Sequence, residues 1–247
     1  PNESGWTKKF SENCNARLIW GGDETVAKIR TFPISPRAAE LVFADRYSLA
    51  IINGDAVLNA DEKTLKRLAQ DFYNDTFLVD QNACSSPQLI LWQGENDEGK
   101  ERFWDAVEEI VKSRYELLPV KVTGKYADFC ANAVRFTETG ELISKDNYIY
   151  RVKLNKISSE TENLRGKCGL FYEYNVKNFE EVVPFISERY QTLTYFGEDA
   201  EIFAKILSDN NSLVIDRIVP ICKALDMDVV WDGYNIVSEL SRIMDVR

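Results

Sequence analysis

Short apolar runs recur along this chain, separated by segments whose apolar positions return every three or four residues. Ala16-Arg-Leu-Ile-Trp20 reads as a strand that runs into a Gly21-Gly22 turn. Asp23 is placed to cap a helix reaching Arg30, and Pro33 closes that segment. Ser48-Leu-Ala-Ile-Ile-Asn53 predicts a second, buried strand. After Asp61, the apolar residues Leu65, Leu68, Ala69 and Phe72 fall at i, i+3, i+4 and i+7, one face of a helix. A polar loop, Asp80-Gln-Asn-Ala-Cys-Ser-Ser-Pro87, separates that helix from a core strand over 88–92.

Downstream, Asn96 opens a longer helix with Phe103, Val107, Ile110, Val111 and Tyr115 on its apolar face, ended by Pro119. Strands are predicted at 148–154, 170–176 and 191–196. Asn178 is read as the cap of a helix reaching Arg189 with a kink at Pro184. A helix over 198–208 turns Ile202, Phe203 and Ile206 inward, and the segments 216–220 and 229–233 precede a terminal helix. Strands alternating with helices over the whole length indicate an α/β protein with a mainly parallel sheet. Tyr172, Tyr174 and Tyr195 fall on these strands and Tyr190 just before one, and all four read as core or sheet packing.

Composition narrows the chemistry. None of the 247 residues is histidine, which removes Ser-His-Asp triads, Cys-His pairs and His-based zinc sites. The formal net charge of −10 argues against nucleic acid or an anionic membrane as the main partner. Hydrophobic content of 45% supports a real core, and no apolar run is long enough to span a bilayer. The N-terminus lacks the basic flank and apolar stretch of a signal peptide and has no initiator Met, so the chain is expected to be a fragment of something longer. The five cysteines, at 14, 84, 130, 168 and 222, show no C-x-x-C spacing, so no metal site is expected and a reduced, cytoplasmic thiol set is.

Two places could carry chemistry. The strand–turn–helix around Gly21-Gly22 points free backbone N–H groups at the turn, which suits a phosphate, but Gly-Gly alone reads first as a plain βα connection. Cys84 is the candidate nucleophile, because a polar loop between a helix and a core strand is an unusual place for a structural thiol. Without histidine, its thiolate has to be favoured by a helix N-terminus, backbone N–H groups or a cation. Asp45-Arg46, just before a core strand, reads as a functional loop or as an ion pair.

Three stretches together resemble the long-chain acyl-CoA reductases of the LuxC type, within the aldehyde dehydrogenase superfamily. They are Arg17-Leu-Ile-Trp-Gly-Gly-Asp-Glu-Thr-Val26, Phe43-Ala-Asp-Arg-Tyr-Ser48 and Asp80-Gln-Asn-Ala-Cys-Ser-Ser-Pro-Gln88. Gln191–Gly197, Asp216–Ile221 and Trp231–Tyr234 are similar to the C-terminal part of that family. The resemblance implies an aldehyde-dehydrogenase-like catalytic domain over 45–247. Residues 1–44 would be the end of a Rossmann-like nucleotide-binding domain whose first half is absent, so the isolated chain is expected to be inactive.

It also implies Cys84 as the residue acylated by an acyl-CoA or acyl-protein thioester. NADPH would contact Trp20, Gly21 and Gly22, and the product would be a fatty aldehyde. The hydrolytic members carry a general-base glutamate where this chain has Val42-Phe-Ala-Asp-Arg46. Losing that base suits reduction, because an acyl-enzyme attacked by hydride needs no activated water. The ribose-contacting motif is replaced near Leu164-Arg-Gly-Lys-Cys-Gly169, where Arg165 or Lys167 is a candidate phosphate contact. An acyl-protein synthetase subunit is the expected partner and an oligomer the expected state when full length. Two competing readings stay open: an acyl carrier or thiol acyltransferase without hydride transfer, and a non-catalytic interaction module.

Overall fold

A computed structural model describes residues 4–94, 97–212 and 214–247. It divides into two compact units, one formed by Pro1–Arg46 with Met227–Arg247 and the other by Tyr47–Asp226. The sequence reading kept 45–247 together; the structure instead returns Met227–Arg247 to the N-terminal unit. The reason is local packing: Trp231, Tyr234 and Ile236 cover Leu41 and Phe43, and Arg46 Nε donates to Asp232 Oδ1 at 2.8 Å.

The smaller unit contains α1 (Ser4–Asn13), β1 (Ala16–Trp20), α2 (Asp23–Arg30) and β2 (Ala39–Phe43). Strands β1 and β2 pair in parallel with Leu18 opposite Leu41. Helix α2 is capped by Gly22 rather than Asp23, which is its first residue.

The larger unit opens with β3 (Tyr47–Asn53), α3 (Gly54–Asn59), α4 (Glu62–Thr76), β4 (Leu89–Gln93), α5 (Asp97–Arg114) and α6 (Pro119–Arg135). It continues with β5 (Thr139–Ile143), β6 (Tyr150–Leu154), β7 (Leu170–Val176), β8 (Tyr190–Phe196), α7 (Ala200–Asp209) and β9 (Arg217–Pro220). The chain then returns to the smaller unit for β10 (Val230–Trp231), β11 (Tyr234–Asn235) and α8 (Ile236–Leu240). The seven-stranded sheet has the order β5-β6-β7-β4-β3-β8-β9, and only the β5–β6 pair is antiparallel.

Strand β3 sits near the middle of that sheet and is buried on both faces. Leu49 and Ile51 enter one core layer, with Tyr172, Leu193 and Phe203. Ala50 and Ile52 enter the other, with Phe72, Trp92 and Phe103 from α4, β4 and α5. A parallel strand covered on both faces reads as a continuous apolar run, which is why it is visible in sequence.

Helices α3 and α5 approach at two glycines. A Cβ on Gly99 would lie 1.9 Å from the Gly54 carbonyl oxygen, so the helices can close only without it. Gly99→Ala forces the pair apart and is expected to cost about 1–3 kcal/mol, read as a lowered melting temperature. An unchanged melting temperature would refute the close approach.

Three predicted elements differ. Pro119 opens α6 instead of ending α5, its missing N–H falling among the donors that have no helical acceptor. Residues 178–189 form two separate 3₁₀ turns, Phe179–Glu181 and Val183–Phe185, because Pro184 lacks the N–H a continuous helix needs. In α7, Ile202 is exposed while Phe203 is buried. The predicted start of α5 at Asn96 falls outside the described residues.

Candidate functional site

Cys84 lies in the connection between α4 and β4, at the amino-terminal edge of the sheet. Helix α4 ends at Thr76 and a 3₁₀ turn follows over Phe77–Val79. Asp80 and Gln81 then both take left-handed backbone angles, with φ of 54° and 60°. Two consecutive non-glycine residues in that region are costly and persist only where surroundings impose them.

Here the surroundings are two buried glutamines. Gln81 Nε2 donates to the carbonyls of Pro87 and Leu170, both at 3.1 Å, and its Oε1 accepts the Gly169 N–H at 3.0 Å. Gln88 Nε2 donates to the Gln81 carbonyl at 3.0 Å, and its Oε1 accepts the Gly166 N–H at 2.7 Å. Every one of these bonds is buried, so water does not compete for them. The clamp also explains Gly166, where a Cβ would sit 1.8 Å from the Leu170 carbonyl oxygen.

Within this clamp Cys84 occupies the second position of a turn closed by Ser86 N–H to Ala83 O at 3.0 Å. Ser48 Oγ donates to the Cys84 carbonyl at 2.7 Å, and Ser86 Oγ donates to the Asp75 carbonyl at 2.7 Å. Ser85, Ser86 and Pro87 are buried, whereas Cys84 is half-buried and forms no disulfide. A rigid loop that leaves one thiol partly accessible is an arrangement suited to a nucleophile.

Charged groups gather on both sides of the loop. Asp80 Oδ1 accepts from Lys121 Nζ at 2.7 Å and from the Tyr115 hydroxyl at 2.5 Å, and these two donors hold its carboxyl below the usual range. Tyr115 is pushed well up by burial and by the neighbouring Asp80 and Cys168. Lys125 is almost fully buried and donates to the carbonyls of Asn147, Tyr148 and Cys168; burial lowers it to about 8. On the other side, Asp75 accepts the N–H groups of Cys222 at 2.7 Å and Ala224 at 3.1 Å. Burial pushes Asp75 up to about 7, with Asp71 and Asp226 adding to it.

The remaining candidates fall as follows. Arg165 places its guanidinium over the Tyr47 ring, 5.1 Å from the centroid, while Lys167 is exposed. In the smaller unit, Trp20 stacks on Phe43 at 4.6 Å and keeps 55% of its surface exposed. The Gly21 N–H extends the β1–β2 ladder by bonding Phe43 O at 3.1 Å. Nothing lies within 4 Å of where a Gly22 Cβ would stand, so the backbone there is open to a ligand. The first turn of α2 carries Asp23 and Glu24, which suit the helix dipole and oppose an arriving phosphate. Arg46 and Asp45 precede β3 as expected, with Arg46 committed to Asp232. Among the described residues no group of three His, Cys, Asp or Glu is arranged to hold a metal ion. No helix among them is long and apolar enough to cross a membrane.

Cys84 is a candidate from the sequence alone; the residues that hold its loop are not. The only signal was the presence of Ser48, Gln81 and Gln88 beside apolar runs, polar residues in positions that a buried edge leaves to satisfied donors.

The family model described as acyl-CoA reductase (LuxC) matches residues 3–151. No curated protein sequence matches the chain. Solved structures do. An NADP-dependent glyceraldehyde-3-phosphate dehydrogenase from Bacillus halodurans C-125, complexed with NADP, superposes with a TM-score of 0.59 at 13% identity. That match covers 95% of this chain and 52% of that one. An NAD-dependent aldehyde dehydrogenase from Sinorhizobium meliloti gives 0.57 at 10% identity, covering 88% and 45%. Lactaldehyde dehydrogenase from Escherichia coli gives 0.55 at 10% identity, covering 86% and 47%. The chain therefore has an aldehyde-dehydrogenase-type α/β fold, and it spans about half the length of these structures.

Proposed function

Since the chain belongs to the acyl-CoA reductase (LuxC) family, we propose that it carries the nucleophile-bearing part of an enzyme that reduces an acyl thioester to an aldehyde. The observation that carries this reading is the Cys84 turn, a half-buried thiol on a loop immobilised by Gln81, Gln88 and Ser48. The Cys84 thiolate attacks the carbonyl carbon of an acyl-CoA or acyl-protein thioester. The bond to the leaving sulfur breaks, the departing thiolate takes a proton, and the acyl group stays on Cys84. The oxyanion formed on the way is held by the Cys84 N–H and a side-chain donor.

NADPH, when bound, supplies the hydride that converts the acyl group to the aldehyde level. Trp20, Gly21 and Gly22 would hold it, through an exposed ring and an open backbone. After that transfer the thiohemiacetal on Cys84 collapses, releasing the aldehyde and the thiolate. The stretch Val42–Arg46 holds no glutamate to activate water, which favours reduction over hydrolysis of the acyl-enzyme. A cytoplasmic setting suits five cysteines without a disulfide. An acyl-protein synthetase partner and an oligomeric state complete the reading.

The test is peptide-resolved mass spectrometry after incubation with a long-chain acyl-CoA. A hydroxylamine-labile acyl adduct is expected on Cys84, and Cys84→Ser is expected to lose it. An adduct shared evenly among the five cysteines would sink the proposal. Transfer of the label to an added thiol, with no NADPH consumed, would favour the acyl-carrier reading instead.

A further inference from the structure

We infer that Ser48 is the positioning residue of the nucleophile: by holding the Cys84 carbonyl, its hydroxyl fixes how the Cys84 thiol and N–H are presented. This inference rests on the reading of Cys84 as the nucleophile.

The sheet is irregular beside Ser48. Tyr47 pairs with Tyr190 and Leu49 with Leu193, so β8 contains one residue more than β3 across this step. Such a bulge leaves a ladder group without its regular backbone partner and re-aims side chains. Here the Thr192 N–H is met by Ser48 Oγ at 3.2 Å. An amide N–H can only donate, so the Ser48 oxygen accepts there. The Cys84 carbonyl can only accept, so the Ser48 proton goes to it, at 2.7 Å. The hydroxyl therefore has one orientation, in a residue with no exposed surface where water could offer another.

Ser48 holds both ends of the segment that carries the nucleophile. Its side chain takes the Cys84 carbonyl, and its own carbonyl accepts the Gln88 N–H at 2.9 Å. With the Cys84 carbonyl fixed toward β3, the peptide plane after the cysteine has one setting. The negative end of that carbonyl is then kept on the sheet side. Without the anchor the dipole is free to swing toward the sulfur, where it disfavours a thiolate. The hydroxyl is not what keeps β3 in place. The pairing of Leu49–Asn53 with Leu89–Gln93 and the Gln88 N–H to Ser48 O bond do not involve it.

The experiment is peptide-resolved alkylation of the 247-residue chain by iodoacetamide as a function of pH, with Cys14 and Cys130 as internal references. In Ser48→Ala the midpoint of the Cys84 pH–rate profile is expected to rise by about one unit, with the rate at pH 7 falling roughly tenfold. The reference cysteines stay unchanged, and Ser48→Thr, which keeps the hydroxyl, returns the wild-type profile. Should Ser48→Ala not fold, Ser48→Cys keeps a group at the same position and weakens the donor, and its Cys84 profile has to shift in the same direction. A Cys84 that is acylated by acyl-CoA yet keeps its profile in these variants overturns the role of Ser48 and leaves the nucleophile standing. A Cys84 that accepts no acyl group overturns both.

Discussion

Replacing Glu173 by alanine is expected to destabilise the larger unit by about 3–5 kcal/mol, the range for breaking a buried charge pair. Glu173 is fully buried on β7. Its Oε1 accepts the indole N–H groups of Trp92 at 2.7 Å and Trp104 at 2.6 Å, and its Oε2 accepts Arg151 Nε at 3.0 Å. Arg151, itself buried, stacks over Trp104 and forks onto Glu101 at 2.8 and 2.9 Å. Alanine leaves two indole donors without an acceptor and a guanidinium tied only to the exposed end of the network. Glutamine is better tolerated in volume and worse in chemistry, because its NH₂ would face a donor. The measurement is urea unfolding followed by fluorescence, to which Trp92 and Trp104 contribute directly. Glu101→Ala, which removes the half-exposed partner, is the control and should cost under about 1 kcal/mol. If the control costs as much as Glu173→Ala, the buried carboxylate is not the centre of this network.

The second large effect is a pH dependence carried by Asp75. Its carboxyl is pushed up to about 7 in the folded chain, chiefly by burial, from an ordinary value of 3.8. As pH rises, the unfolded chain therefore gives up this proton first, and the folded state is penalised. The contribution of Asp75 to stability is fully present below about pH 4 and is lost as pH climbs to about 7. A shift of this size corresponds to about 4 kcal/mol across the window. Asp80, Glu101, Glu138 and Asp146 are all held low, so their contributions run the other way and are lost as pH falls. The comparison that isolates Asp75 is the difference between wild type and Asp75→Asn in denaturant unfolding from pH 4 to 8. The variant is expected to gain on the wild type steadily through that range. Parallel curves would show that Asp75 does not titrate there. Because the Asp75 carbonyl also receives Ser86, the same substitution tests whether losing the carboxylate bonds to Cys222 and Ala224 alters the Cys84 turn.

How much of this was legible depended on whether a residue's role is set by its neighbours in sequence or in space. Strands β3 and β4 announce themselves as apolar runs because both faces of the sheet are covered, whereas β7 and β8 are interrupted by polar residues such as Glu173, Thr192 and Thr194. The buried stripe of α4 is complete in the spacing of Leu65, Leu68, Ala69 and Phe72. Helix α6 was invisible because the one side chain it buries fully is Lys125, while Val120, Tyr126 and Val134 face outward. Its apolar residues are thus largely left outside, and Pro119 then looked like a stop. Cys84 stood out because its flanks are polar. Ser48, Gln81 and Gln88 did not, since their partners Thr192, Gly169 and Gly166 lie far along the chain. Charge and periodicity carry no trace of such pairings.

The clamp around Cys84 has a consequence for anyone measuring this chain. Its side chains are amides and hydroxyls, none of which changes charge in the range where proteins are handled. Neither salt nor moderate acid has a charge to act on there. A titration of Cys84 reactivity therefore registers the sulfur itself, on a mount whose own hydrogen bonds keep their charge state throughout.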